Sequence, residues 1–399
     1  PFWLKPHGTS MTPAARSMLG QRLSRCSAAE ARSSRCRSVW FCSQECRCRA
    51  WQEHKRVSVP VAAEAAKAGS ADARTTRKPV LIVGMTSLPS RLRGIGPALR
   101  SIAMQEQRPD HLILSLPHRS RREGREYTLP SEVQSLLGDH SWLEVQWVDE
   151  DYGPGTKLLG ALHWLRASPD RWRKDDVLMV LDDDHAYEPH ALGELLREQL
   201  LRGPQHVCSF FAYFFRGIMV PQGADIISFQ LNESFVEDVL EYHRTFIHGD
   251  AACFLVDDLW VAMFVMLSGR TAVSLRDLVL QQGLQTIYKR TENAQVEALE
   301  ALRGDDRRDR VTLRAFDGLL ARLSVAGAEG LQRWGGGEAA KRVHALGKEV
   351  KMVERQIAEM ELWLKQERDN DSDEVSSGVL QASQQLAKMK HLYRMQAPS

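Results

Sequence analysis

No apolar run in this 399-residue chain reaches the roughly 18–20 residues that a membrane-spanning helix needs, so no transmembrane span is expected. A surplus of one charge is missing too. The 53 basic residues face 51 acidic ones, a formal net charge of +2, which gives no reason to expect nucleic acid as a main partner. The first residues, PFWLKPHGTS, lack the charged-then-apolar order of a secretory signal. Pro1 rather than Met opens the chain, which leaves room for an upstream segment. A cytoplasmic location is the working expectation, with the secretory pathway as the alternative. Cysteine is scarce over most of the length: of seven, only Cys208 and Cys253 lie beyond residue 48, and the rest crowd into one short stretch. That distribution points to metal before disulfides.

What is present divides into four regions. Residues 20–58 hold Cys26, Cys36, Cys42, Cys46 and Cys48 among Arg and Ser, with Trp40, Phe41 and Trp51 between them. The stretch 59–78 is small and polar and reads as a linker. From 79 to 290 short apolar runs (PVLIVGMTS, HLILSLP, WLEVQWVD, DVLMVLDDD) alternate with amphipathic stretches such as 94–107 and 190–201. Strands apolar on both faces and separated by helices imply an α/β fold, a largely parallel sheet covered on both sides. The remainder, 291–399, is charged. In it Val343, Leu346, Val350, Val353, Ile357, Met360 and Leu364 recur at steps of three and four, which predicts a helix burying a narrow seam, in a coiled coil or against the domain, and then a second helix.

The chemistry concentrates at MVLDDDHAY (179–187). In open α/β sheets ligands sit beyond the carboxyl ends of strands, so Asp182, Asp183 and Asp184 would face the crevice. Three adjacent carboxylates repel one another unless a cation or donors neutralise them, and a divalent ion such as Mg²⁺ or Mn²⁺ is the simplest neutraliser. Strand alternation would put Asp182 and Asp184 on one side and Asp183 on the other. The competing reading is a solvated acidic turn that caps a helix near Glu188. Upstream, DYGPGTKLLGAL (151–162) places Lys157 at a Gly/Pro turn opening a helix, an arrangement that can hold an anion, or is a plain capped loop. Downstream, Asp257 and Asp258 interrupt an apolar stretch, either as a carboxylate raised into general-base range or as residues starting a helix at Leu259.

Taken in order, MTSLPSRL (85–92), DYGPGTKLLGAL, VLDDDHAY, VPQGADIISF (220–229) and VDDLWVAMFVMLSG (256–269) resemble nucleotide-sugar glycosyltransferases of the GT-A fold with its Asp-x-Asp motif, over residues 79–280. The resemblance implies a GT-A-like, Rossmann-like sheet and Mn²⁺ or Mg²⁺ held by Asp182 and Asp184. It implies donor contacts from Thr86, Ser87, Arg91, Lys157 and Asp183. It also implies proton abstraction from an acceptor hydroxyl by Asp258, or by Asp257. Gly223 would allow close approach on the acceptor side, with Asp225 as a polar contact. The partners implied are a nucleotide-sugar donor and a glycan, protein or lipid acceptor.

The cysteine stretch 26–58 resembles the MYND zinc finger, a two-zinc module that usually binds proline-rich peptides or other proteins. Ser33 and Ser58 stand where that pattern places cysteines. Cys26, Cys42 and Cys46 remain for one Zn²⁺, and Cys36 and His54 for the other, with Cys48 as a substitute ligand; a structural zinc normally takes four. The leading reading is thus a metal-dependent glycosyltransferase with a degenerate finger and a helical C-terminal extension. The alternative is a non-catalytic interaction scaffold that uses the finger and the seam. A second alternative, a Mg²⁺-dependent phosphoryl enzyme, lacks a phosphate-cradling glycine motif and a placed nucleophile.

Overall fold

A computed structural model describes residues 77–276, 287–295, 307–369 and 377–393. The stretch from Cys26 to His54, with the zinc ligands expected there, lies outside the described residues. The chain divides into two compact units, and the elements below belong to the one formed by Lys78–Val375 and Gln381–Ser399, apart from the first turn of the last helix.

The fold is α/β. Strands β1 (Leu81–Met85), β2 (His111–Pro117), β3 (Leu143–Val148) and β4 (Val177–Leu181) are parallel neighbours in the order β3-β2-β1-β4. Helices α1 (Gly96–Ala103), α2 (Ser131–Asp139) and α3 (Thr156–Ala167) connect them. After β4 come the short β5 (His185–Tyr187), α4 (Ala191–Arg202), β6 (His206–Ser209), the hairpin β7 (Ala212–Phe215) and β8 (Ile218–Pro221), and β9 (Ile227–Gln230). Helices α5 (Phe235–Tyr242) and α6 (Asp257–Leu267), then β10 (Thr271–Ser274) and β11 (Tyr288–Arg290), lead to α7 (Arg307–Gly330), α8 (Gly337–Asp369) and α9 (Ser377–Tyr393). The full seven-stranded order is β10-β6-β9-β4-β1-β2-β3, and β9 alone runs antiparallel to its two neighbours.

The sequence pattern explains the layering. β1 (LIVGM) and β4 (VLMVL) are buried at every position, so each feeds both faces of the sheet. Ile82, Leu178 and Val180 join the core under α3, α5 and α6, while Leu81, Val83, Met179 and Leu181 join the core under α1 and α4. The expectation of a mostly parallel sheet with helices on both faces is met.

Two glycines seat α3 against the sheet. A Cβ on Gly84 of β1 would lie 2.3 Å from the carbonyl oxygen of Lys157, and one on Gly160 of α3 would lie 2.3 Å from Ser115 of β2. Close approach at both points fixes the height of α3, and with it the start of the Lys157 side chain.

The C-terminal helices pack within the chain. Phe316, Leu319 and Leu323 of α7 and Val343, Leu346 and Val350 of α8 belong to the same core as α5 and α6. Farther along, Val353 and Ile357 pack with Leu386 and Met389 of α9. The predicted seam is real, and its first five positions, Val343 to Ile357, pack within the chain. Arg216, buried at the hairpin tip in a positive-φ conformation (43°), bonds Asp317 of α7 at 2.5 Å and Glu354 of α8 at 3.0 Å. With Gly217 also at positive φ (90°), the two-residue loop has the backbone signs of the mirror-image turn that matches strand twist.

Candidate active site

β4 stops at Leu181, so the three aspartates lie in the turn between β4 and β5 and strand alternation does not govern their directions. Each is partnered, and Asp183 and Asp184 share Arg91. Asp182 Oδ1 accepts from Lys157 Nζ at 2.7 Å. Asp183 is buried, accepts from Ser87 Oγ at 2.5 Å and pairs with Arg91 Nη1 at 2.9 Å. Asp184 pairs with Arg91 Nη2 through one oxygen at 2.5 Å, and its other oxygen lies 2.5 Å from His185 Nδ1.

Lys157 also bonds Asp257 Oδ2 at 2.8 Å, so the ammonium bridges the turn after β4 and the start of α6. Asp257 and Asp258 occupy the first turn of α6, where the positive helix end favours carboxylates. They open the helix rather than interrupt it. Asp258 Oδ1 accepts from the backbone N–H of Gly223 at 3.1 Å. A Cβ on Gly223 would stand 2.5 Å from both Asp182 Oδ1 and Lys157 Nζ, so only glycine lets this backbone reach the cluster. Ile226, a β-branched residue held at φ 56°, ends the same short turn, a conformation that costs about 1–3 kcal/mol and persists where the surroundings over-determine it.

Electrostatics follow from this packing. Burial pushes the Asp183 carboxyl up to about 6 against the pull of Arg91. Burial also opposes ionisation of Asp184, but the hydrogen bond with His185 and the Arg91 charge outweigh it and hold that carboxyl below the usual range. Asp258 is pushed well above the carboxylate range by burial and by the Asp257 charge, with Lys157 opposing. Lys157 stays firmly charged: burial disfavours the ammonium, but Asp182, Asp257 and Asp258 together reverse that. Asp225, buried with Oδ1 unpartnered, is raised to about 7 by burial, against a hydrogen bond from Tyr288.

A divalent cation fits this corner. One ligand atom from each of Asp182, Asp184 and His185 can lie within 4.8 Å of the others. His185 is 5% exposed, and its Nε2 is buried without a hydrogen-bond partner. Among the described residues, the carboxylates of Asp182, Asp183, Asp184 and Asp257 meet two cations, Arg91 and Lys157, which leaves an excess of negative charge. Two carboxylates with an imidazole make a reasonable donor set for a first-row ion.

Of the residues expected from sequence, Asp182, Asp183, Asp184, Ser87, Arg91, Lys157, Asp257, Asp258 and Gly223 form one connected cluster. Thr86 donates instead to the Ser115 carbonyl at 2.8 Å, tying β1 to β2. His185 was not singled out, although it directly follows the aspartates. Nor was Asn293, whose carbonyl accepts from Arg91 Nε and Nη2 at 3.1 Å each and whose amide donates back to the Arg91 carbonyl at 2.9 Å. A partner 202 residues away leaves no local signal in the sequence. Asn293 is brought in by β11, which pairs antiparallel with β5 and sets Arg290 opposite His185.

No protein-family model matches the chain, and no curated protein does. Among solved structures, S. aureus TarS (residues 1–349) is similar over 61% of this chain and 71% of that one, at 14% identity and a TM-score of 0.34. The apo-form glycosyltransferase GlyE of Streptococcus pneumoniae TIGR4 is similar over 53% of this chain and 51% of that one, at 13% identity and a TM-score of 0.30. A 4-diphosphocytidyl-2C-methyl-D-erythritol synthase is similar over 41% of this chain and 86% of that one, at 12% identity and a TM-score of 0.28.

Proposed function

We propose that the protein is a metal-dependent glycosyltransferase that moves a sugar from a nucleotide-diphosphate donor to an acceptor hydroxyl. The observation that carries this reading is the convergence, beyond the carboxyl end of β4, of a carboxylate–imidazole donor set, two cationic side chains and a carboxyl of raised pKa. Those are the parts that departure of a diphosphate and activation of a hydroxyl require.

In this reading Asp182, Asp184 and His185 hold Mn²⁺ or Mg²⁺, and the imidazole tilts the choice towards Mn²⁺. The bound ion supplies positive charge to the diphosphate as it leaves. Arg91 and Lys157 add fixed positive charge on either side, and Ser87, Thr86 and Asp183 shape the turn along which the nucleotide lies. Asp258 takes the acceptor proton as the acceptor oxygen bonds to the anomeric carbon and the bond to the diphosphate oxygen breaks. Asp258 is favoured over Asp257 because Asp257 is engaged with Lys157, whereas Asp258 holds only a backbone N–H and keeps a raised pKa. Written as a single displacement, this step inverts the anomeric carbon.

The test is thermal unfolding of the full chain against nucleoside diphosphates and nucleotide-sugars, each with and without Mn²⁺. Saturation at a hundredfold over the dissociation constant stabilises by about 2.7 kcal/mol. A shift needing both metal and one nucleotide is expected and would name the base. No shift with any member, on a cooperatively unfolding sample, would favour the scaffold alternative.

A further inference from the structure

Residues 287–295 come back to the metal corner from beyond β10 and lie along it as a strap. β11 pairs antiparallel with β5, setting Tyr288 opposite Tyr187 and Arg290 opposite His185. On either side of that ladder the backbone N–H of Glu188 donates to the Ile287 carbonyl at 2.8 Å, and that of Thr291 donates to the Asp184 carbonyl at 2.9 Å. Ile287 is buried in the core under α1 and α4. At the other end Asn293 is buried and exchanges hydrogen bonds with Arg91, and a Cβ on Gly94 would lie 2.2 Å from its Oδ1. The strap is thus anchored at both ends, and Asp184 and His185 lie against its middle.

The side chain it lays on the corner is Tyr288. Across an antiparallel pair a diagonal neighbour is within reach of an aromatic side chain, and Tyr288 is the diagonal neighbour of His185. Its ring meets the imidazole edge-on, with centroids 4.2 Å apart and planes at 77°. Tyr187 covers the imidazole less closely, at 6.3 Å and 43°. Tyr288 is held in turn, since its ring packs on Tyr187 at 6.1 Å and its hydroxyl bonds the buried Asp225 carboxyl.

His185 has need of such a hold. Metal-binding imidazoles are usually oriented by a hydrogen bond from the nitrogen that does not bind the metal, and loss of the orienting group typically costs 10–100-fold in affinity. Among the described residues the ion-pair partner of this imidazole is Asp184, itself a candidate ligand, and Nε2 is buried with no hydrogen-bond partner. An aromatic edge contact therefore stands where a hydrogen bond would ordinarily set the ring.

We propose that Tyr288 is a positioning residue for the metal corner: its ring, carried on β11 and tied to Asp225, fixes the plane of the His185 imidazole for Mn²⁺. The proposal rests on the assignment of Mn²⁺ to Asp182, Asp184 and His185, but not on transfer. The probe is Mn²⁺ alone, added to the full chain and followed by calorimetry and by pulsed EPR, in which an imidazole bound to Mn²⁺ gives a nitrogen hyperfine coupling. The native chain should show that coupling. Tyr288→Leu should weaken Mn²⁺ binding about tenfold or more and broaden or abolish the coupling at saturating Mn²⁺. Tyr288→Phe keeps the ring, so it should keep the coupling and most of the affinity. Urea unfolding of both variants reports any purely structural part. Lower stability in Tyr288→Leu with an unchanged coupling overturns the proposal, and so does a Tyr288→Phe variant as impaired as Tyr288→Leu. A native chain that binds Mn²⁺ without nitrogen coupling, or does not bind it, would overturn the metal assignment and this proposal with it. A native coupling that Tyr288→Leu leaves intact would sink the proposal alone.

Discussion

Gly223 donates its backbone N–H to Asp258 Oδ1 at 3.1 Å, and the space where its Cβ would lie is occupied by Asp182 and Lys157. One residue without a side chain therefore sets the distance between the candidate base and the candidate metal corner. Gly223→Ala should push Lys157 and Asp182 apart. The expected result is a loss of about 1–3 kcal/mol in denaturant unfolding, as for other overpacked sites, with transfer falling further than stability does. Unchanged values for both would mean that the loop simply moves aside.

The metal corner can be probed without turnover. Asp184→Asn and His185→Gln should each weaken binding of Mn²⁺ alone, measured calorimetrically, by about tenfold or more. Asp183→Asn should affect it less, because that carboxyl is committed to Ser87 and Arg91. Equal losses at 183 and 184 would undo the division of roles between them.

Asp258→Asn should lower the transfer rate by about 10²–10⁴-fold, the range for loss of a general base, while stabilisation by metal and nucleotide persists. In the native protein the rate should rise with pH as the raised Asp258 carboxyl ionises. Loss of nucleotide stabilisation in this variant would assign Asp258 to the architecture of α6 instead.

Asp225 offers a stability test with a defined sign. Its folded carboxyl sits near 7 through burial, above the ordinary value of 3.8, so between those pH values the folded state holds a proton that the unfolded state has released. Stability should fall as pH rises through that window. Asp225→Asn removes the penalty, so its advantage over the native chain should be about 2 kcal/mol larger at pH 8 than at pH 5. Parallel pH profiles for the two proteins would show that this carboxyl does not titrate as its surroundings imply.

Phe316 of α7 is fully buried and meets Phe215 edge-on at 5.5 Å. Phe316→Ala should cost about 3–5 kcal/mol in urea unfolding, the price of a buried aromatic, although the residue lies far along the chain from the sheet strands. A cost below about 1 kcal/mol would mean that α7 does not share the sheet's core.

The strands were legible because a strand buried on both faces must be apolar at successive positions, as LIVGM and VLMVL are. The seam of α8 was legible for the same kind of reason, since steps of three and four put its apolar residues on one face. Directions within the aspartate turn were not. The alternation rule holds only inside a strand, and β4 ends one residue before Asp182.

The sequence by itself determined the class of fold, the four parallel strands that centre on the aspartate turn and the chemical types gathered at the strand ends, because periodicity and local composition are short-range properties. The tertiary structure decided who meets whom: Lys157 between Asp182 and Asp257, Arg91 on Asp183 and Asp184 and under the Asn293 carbonyl, and Gly223 against Asp258. It thereby decided which carboxyl is pushed up and which is held down. Burial and Coulomb interaction depend on distances through space, and those distances join residues that lie tens to hundreds of positions apart along the chain.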